Sequence, residues 1–107
     1  MTNRWFLYLD DERIPKTLQE WTIARSVKEA QSLVLAKGCP SIISFDHDLG
    51  NSVLTGHDFA KWLIEQDLNG EIQFPEDFSF SVHSANPVGR DNINSILISY
   101  FKFKRNR

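Results

Sequence analysis

Apolar and polar positions along this chain change their period several times, and each change marks an element. Phe6-Leu7-Tyr8-Leu9 is a short apolar run that gives way at once to Asp10-Asp11-Glu12-Arg13, the pattern of a strand that surfaces at its end. The first strand is predicted over residues 4–9 and is closed by Glu12-Arg13-Ile14-Pro15, because the residue before a proline is pushed out of the helical region. Trp21-Thr22-Ile23-Ala24-Arg25 predicts a short second strand. In Ser26-Val27-Lys28-Glu29 a serine stands three residues ahead of a glutamate, the capping-box arrangement, so a helix is expected from Ser26. Val27, Ala30, Leu33 and Val34 share one face of it, and Gly38 supplies the left-handed residue expected just past its end.

Ser41-Ile42-Ile43-Ser44-Phe45 reads as a third strand, its β-formers suiting a position covered on both faces, and it stops at Asp46-His47-Asp48-Leu49-Gly50. A loop is expected from Gly50 to Leu54. Thr55-Gly56-His57-Asp58 is a second capped helix start, with Phe59, Trp62 and Leu63 facing inward and a stop at Asn69-Gly70. Residues 71–77, with Pro75, are a connection to a fourth strand at 78–83. Ile93, Ile96, Leu97, Tyr100 and Phe101 recur at three-and-four spacing and predict the last helix, with Asn86 as its cap, Pro87 in its first turn and Gly89 delaying its start by a few residues.

This order of elements predicts a parallel α/β sheet with right-handed crossovers and strand order 2-1-3-4. The ends of strands 1 and 3 are then neighbours, which brings Asp10, Asp11, Asp46 and Asp48 together. Converging carboxylates repel unless a cation or proton intervenes, and hard oxygen donors suit Mg²⁺ or Mn²⁺. His47 and His83 are candidates for touching a ligand or carrying a proton, against the plainer reading of hydrogen-bonded structural residues. Arg90 with Asn92, next to a helix N-terminus, suits an anion, or Arg90 bridges to the acidic cluster. Arg13 has the same two readings, with a surface role favoured. Trp5, Trp21 and Trp62 are read as core residues rather than stacking platforms.

Composition narrows the function classes. The chain has 107 residues, enough for one domain; it is 41% hydrophobic and 24% charged with net charge -2, so it carries no global bias toward polyanions. The basic tail Lys102-Phe103-Lys104-Arg105-Asn106-Arg107 is expected to be a solvated, frayed terminus rather than an RNA contact. Cys39 is the single cysteine, which excludes an internal disulfide and a cysteine-rich zinc site and leaves a packing role. Neither a secretion-signal core nor an apolar stretch of membrane length is visible, so a cytoplasmic protein with no membrane partner is expected.

Leu7-Tyr8-Leu9-Asp10-Asp11-Glu12, a strand ending at Asp46, and Ser84-Ala85 after the fourth strand resemble the response-regulator receiver fold over nearly the whole chain. The resemblance implies a flavodoxin-like, three-layer α/β sandwich. It also implies that Asp10 and Asp11 bind Mg²⁺, that Asp46 accepts a phosphoryl group, that Ser84 contacts the phosphate and that Asp48 lies where receivers place a metal-ligating backbone carbonyl. The fifth strand and its clamp lysine are missing, since the chain passes from Ser84-Ala85-Asn86-Pro87 directly into its last helix.

Three motifs, Leu-Asp-Asp-Glu-Arg-x-Pro, Phe-Asp-His-Asp-Leu-Gly and His-Ser-Ala-Asn-Pro-x-Gly, together resemble the cyclic-phosphate processing receiver family. That resemblance implies metal-dependent processing of a cyclic phosphate, for example an RNA 2′,3′-cyclic phosphate end or a cyclic nucleotide. Asp46, His47 and His83 are then the catalytic candidates; Asp10, Asp11, Asp46 and Asp48 the metal ligands; and Ser84, Asn86, Arg90 and Asn92 the phosphate contacts. The alternative is a receiver-like domain that senses a phosphate or accepts a phosphoryl group without turnover.

Overall fold

The computed structural model describes residues 4–16, 20–49 and 53–106. Its elements are β1 (Phe6–Leu9), β2 (Trp21–Ala24), α1 (Val27–Lys37), β3 (Ile42–Phe45), α2 (Gly56–Leu68), β4 (Ser79–Val82) and α3 (Pro87–Arg105). The strands form one parallel sheet in the predicted order β2-β1-β3-β4. Within the loop expected from Gly50 to Leu54, Gly50, Asn51 and Ser52 lie outside the described residues, as does Arg107.

Local chemistry sets the helix starts. The Ser26 side chain accepts from the Glu29 amide, and Thr55 with Asp58 forms a reciprocal capping box, each satisfying donors that a helix start leaves open. Asn86 accepts from the Gly89 amide at 3.0 Å, which draws Gly89 into the first turn; α3 therefore starts at Pro87 instead of being delayed past the glycine. The expected frayed terminus is helical as far as Arg105, because Lys104 is anchored to Asp67 at 2.9 Å.

Handedness decides which face of the sheet is covered. The crossovers β2-α1-β3 and β3-α2-β4 step in the same direction across the sheet, so right-handed connections put α1 and α2 on one face. There α3 packs beside α2, and Leu7, Leu9, Ala24, Ile43 and Phe45 are buried with Val27, Val34, Phe59, Leu63, Ile93 and Leu97 in a single core. The step from β1 to β2 runs the other way and so crosses the opposite face, but its described residues hold no helix.

The expected third layer is therefore absent among the described residues, and β3 is not covered by helices on both sides. Receiver-like strand order survives with helices on one face only. On the helix-free face Phe6, Trp21, Ile23, Ile42 and His83 are half-buried, while Ser79 and Ser81 are exposed. Trp5 is core, as expected, and Trp62 packs partly buried against it, but Trp21 stands on this open face.

Candidate functional site

Side chains alternate along a strand, so Phe6, Tyr8 and then Asp10 point to the helix-free side, as do Ile42, Ser44 and Asp46, and Ser79, Ser81 and His83. Tyr8, Ser44 and Ser81 are partners across the sheet. One step further, the bonds Asp46 N to Leu9 O and His83 N to Phe45 O, both 2.9 Å, carry the ladder past the strand ends. Asp10, Asp46 and His83 thus form the next row. Each offers a ligand atom within 4.8 Å of the others.

The three residues of that row are treated differently by their surroundings. Asp10 is fully buried; its Oδ1 accepts from the amides of Glu12 at 2.9 Å and Arg13 at 2.8 Å, and its Oδ2 faces His83 Nε2 at 3.0 Å. Burial pushes its carboxyl up, but the two amides and His83 outweigh that and hold it below the usual range. Asp46 is 5% exposed and makes no side-chain hydrogen bond with a described residue. Burial and then the neighbouring Asp10 charge push its carboxyl up, against smaller opposing effects of His83 and Arg13.

Both ring nitrogens of His83 are engaged. Ser81 donates to Ser44 at 3.3 Å, the Ser44 hydroxyl and His83 Nδ1 share a hydrogen bond at 2.7 Å, and the Asp10 carboxylate, which can only accept, calls for a proton on His83 Nε2. The ring lies flat on Tyr8, with centroids 4.6 Å apart and planes 4° from parallel. Arg13 donates to the His83 carbonyl at 3.1 Å and has its Nε 3.7 Å from Asp10 Oδ2. Arg25 in turn donates to the carbonyls of Asp10 at 3.2 Å and Arg13 at 2.7 Å. Two arginines therefore hold the turn after β1, and Arg13, exposed at the surface as expected, also reaches Asp10 and lines the cleft described next.

A cleft of about 250 Å³ opens in front of the row, lined by Asp11, Arg13, Asp46, Asp48 and Ser84 among others. Asp11 and Asp48 line it without joining the compact group. The Asp48 side chain is 65% exposed and accepts from His47 Nδ1 at 2.9 Å; that bond, helped by one from Asn86, holds its carboxyl low. Ser84 is buried and accepts from the Asn86 amide at 3.1 Å. Arg90 and Asn92 are exposed on α3, outside the described lining of the cleft, and Arg90 forms no ion pair with a described residue.

His47 is wedged against the start of α3, where a Cβ on Gly89 would come within 2.3 Å of its ring. The start of α2 is as tight: Gly56 N donates to His47 O at 2.9 Å, and a Cβ there would sit 2.0 Å from the Asp46 carbonyl oxygen. Both glycines are needed for close approach, and they press two helix N-termini onto the loop that carries Asp46.

A model of the cyclic-phosphate processing receiver domain matches residues 5–99. The chain belongs to that family. The match spans every strand and most of α3, so family membership and the geometry of the row cover the same residues. No curated protein and no solved structure matched the chain. As a receiver domain linked by its family to cyclic-phosphate processing, it carries an aspartate-aspartate-histidine group able to hold a metal ion. No described helix is long and apolar enough to cross a membrane.

Tyr8, Ser44, Arg25, Gly56 and Gly89 were not singled out as site residues from the sequence. The signal for Tyr8 and Ser44 was their two-residue spacing from Asp10 and Asp46; Arg25 looks like any surface cation until β2 is placed beside β1.

Proposed function

We propose that this receiver domain processes a cyclic phosphate ester with the help of a divalent cation, Asp46 being the group that faces the substrate. The observation that carries this reading is the Asp46 carboxyl, mostly buried yet opening on the cleft, without a donor among the described residues, and beside a second buried carboxylate. Such a group is costly to the fold unless a cation or proton completes it.

The residues fit a metal ion. Asp10 commits Oδ1 to two amides and keeps Oδ2 toward Asp46 and His83, so two carboxylates and an imidazole make up the donor set. Oxygen donors suit Mg²⁺ and Mn²⁺, and the added nitrogen favours Mn²⁺ over Mg²⁺. A cation bound there would polarise a phosphoryl oxygen and lower the pKa of a bound water. Asp46 is placed either to take a proton or to attack phosphorus directly, and His83, which turns an Nε2 proton toward Asp10, would release that proton to the site on ligating a cation. Asp11, Asp48 and Ser84 shape the cleft in which the phosphate would sit, with Arg13 at its edge for an anionic oxygen.

Purified protein with Mn²⁺ or Mg²⁺ is expected to open a 2′,3′-cyclic phosphate, on an RNA end or a mononucleotide, and Asp46→Asn to lower the rate by at least about 100-fold. No turnover with either metal would sink the catalytic reading. Metal-dependent binding of beryllofluoride at Asp46 without turnover would replace it by the sensing one.

A further inference from the structure

A second cavity, of about 670 Å³, lies on the helix-free face behind His83, and its volume is within the range of ligand pockets. Tyr8, Trp21 and His83 give it ring-bearing walls, Arg13 and Lys16 add positive charge, and Ser44 and Ser81 place hydroxyls on its floor. Trp21 meets Tyr8 edge to face, with centroids 5.7 Å apart. Two of its lining residues tie this cavity to the site: Arg13 also lines the acidic cleft, and His83 also belongs to the Asp10–Asp46 row.

We infer that this cavity receives the heteroaromatic ring of the substrate, so that the cyclic phosphate handled in the cleft is that of a nucleoside. The inference rests on the function proposed above and adds to it the place that would hold the ring of a nucleoside ester. An aromatic wall offers a planar ring a stacking surface whatever its hydrogen-bonding edge, and the hydroxyls of Ser44 and Ser81 can meet polar atoms on that edge. The cations complement the phosphate that such a ring carries. A ligand reaching from cleft to cavity passes Arg13, which lines both. A phosphate ester lacking a ring would leave the cavity to water.

The test compares adenosine 3′-monophosphate with glycerol 1-phosphate by calorimetry in the presence of Mn²⁺, together with the indole NH signals of the isotopically labelled protein. The nucleotide is expected to bind at least about tenfold more tightly and to shift the Trp21 indole signal, which the glycerol ester leaves in place. Trp21→Ala should bring the affinity ratio near one, and Trp21→Phe, which keeps a ring, should retain most of it. Equal affinities in the wild type, or a ratio unchanged in Trp21→Ala, would overturn the inference. So would a dimer seen in sedimentation and lost in Trp21→Ala, which would make this face an interface between two copies. Turnover of the two corresponding cyclic esters separates the two claims. Equal hydrolysis with no ring preference keeps the proposed function and removes the subsite, whereas ring-dependent binding without hydrolysis of either keeps the subsite and removes the catalysis.

Discussion

Asp46 and Asp67 are both nearly closed off from water, at opposite ends of the molecule, and the fold treats them in opposite ways. Because α2 runs back antiparallel to the strands, its last turn puts Asp67 at the end of the sheet away from the candidate site. There the carboxylate accepts from the Tyr100 hydroxyl and from the Phe74 amide at 3.3 Å, and pairs with Lys104 at 2.9 Å. Burial pushes it up, but Tyr100, Lys104 and Phe74 pull it below the usual range. Asp46 has the burial and none of these donors, and is pushed up. Burial alone does not assign a role to a carboxylate. Supplied with donors, Asp67 ties α2, the loop before β4 and α3 together; denied them, Asp46 keeps its oxygens available.

The sharpest way to break this contrast is to remove each carboxylate in turn. Asp67→Ala strands a tyrosine hydroxyl, a backbone amide and a lysine, and is expected to cost about 3 kcal/mol in a denaturant titration. A loss within experimental error of zero would show that this end of the fold does not depend on Asp67. Metal comes next in size. Mn²⁺ at about 100 times its dissociation constant should add about 2.7 kcal/mol to the wild type, since it binds only the folded chain. The same increment should appear in Asp67→Ala and vanish in Asp46→Asn, as read by thermal melts with metal and with chelator.

Smaller, and of opposite sign to the Asp67 variant, is the effect of Asp46→Asn without metal. Relieving the repulsion from Asp10 should stabilise the fold by about 1 kcal/mol, or raise the melting temperature by about 4 °C. The smallest effect is in the pH profile. A carboxyl held low, as at Asp67 and Asp10, contributes stability that is complete above its unfolded value of about 3.9 and is lost as pH falls through the folded one. Raised, as at Asp46, it contributes stability below that unfolded value, lost as pH rises through the folded one. On acidification from pH 7 the metal-free wild type should therefore gain slightly before it loses, and Asp46→Asn should show only the loss.

The sheet order and the helices were legible because local signals agreed with one another. Ser26, Thr55 and Asn86 cap the helices that the apolar spacing predicts, and the acidic strand ends fall side by side. Membership of the row was harder to read, because grouping Asp10, Asp46 and His83 without Asp11 or Asp48 requires the strand register, which strands of four residues do not announce. Trp21 was misjudged for a related reason. A half-apolar strand looks the same whichever face is covered, and only the handedness of the β2–β3 and β3–β4 crossovers shows that its side of the sheet receives no helix from α1 or α2. Lys104 was read as part of a frayed tail because its partner, Asp67, is remote in sequence.

The position of β1 also bears on how the chain is made. Of the four described strands it is synthesised first, and both of its neighbours lie downstream: Phe6 waits for Trp21 on one side and for Ile42 on the other. Pairing with β2 joins nearby residues and closes a short loop, whereas the β3 edge stays open until the whole of α1 has been synthesised. During that interval a β1–β2 ribbon would carry two unpaired edges, that of β2, which stays open in the finished sheet, and that of β1, a template for mispairing with other chains. The acidic residues that follow β1 then have a second use, because their charge keeps such ribbons apart before there is any site for them to serve.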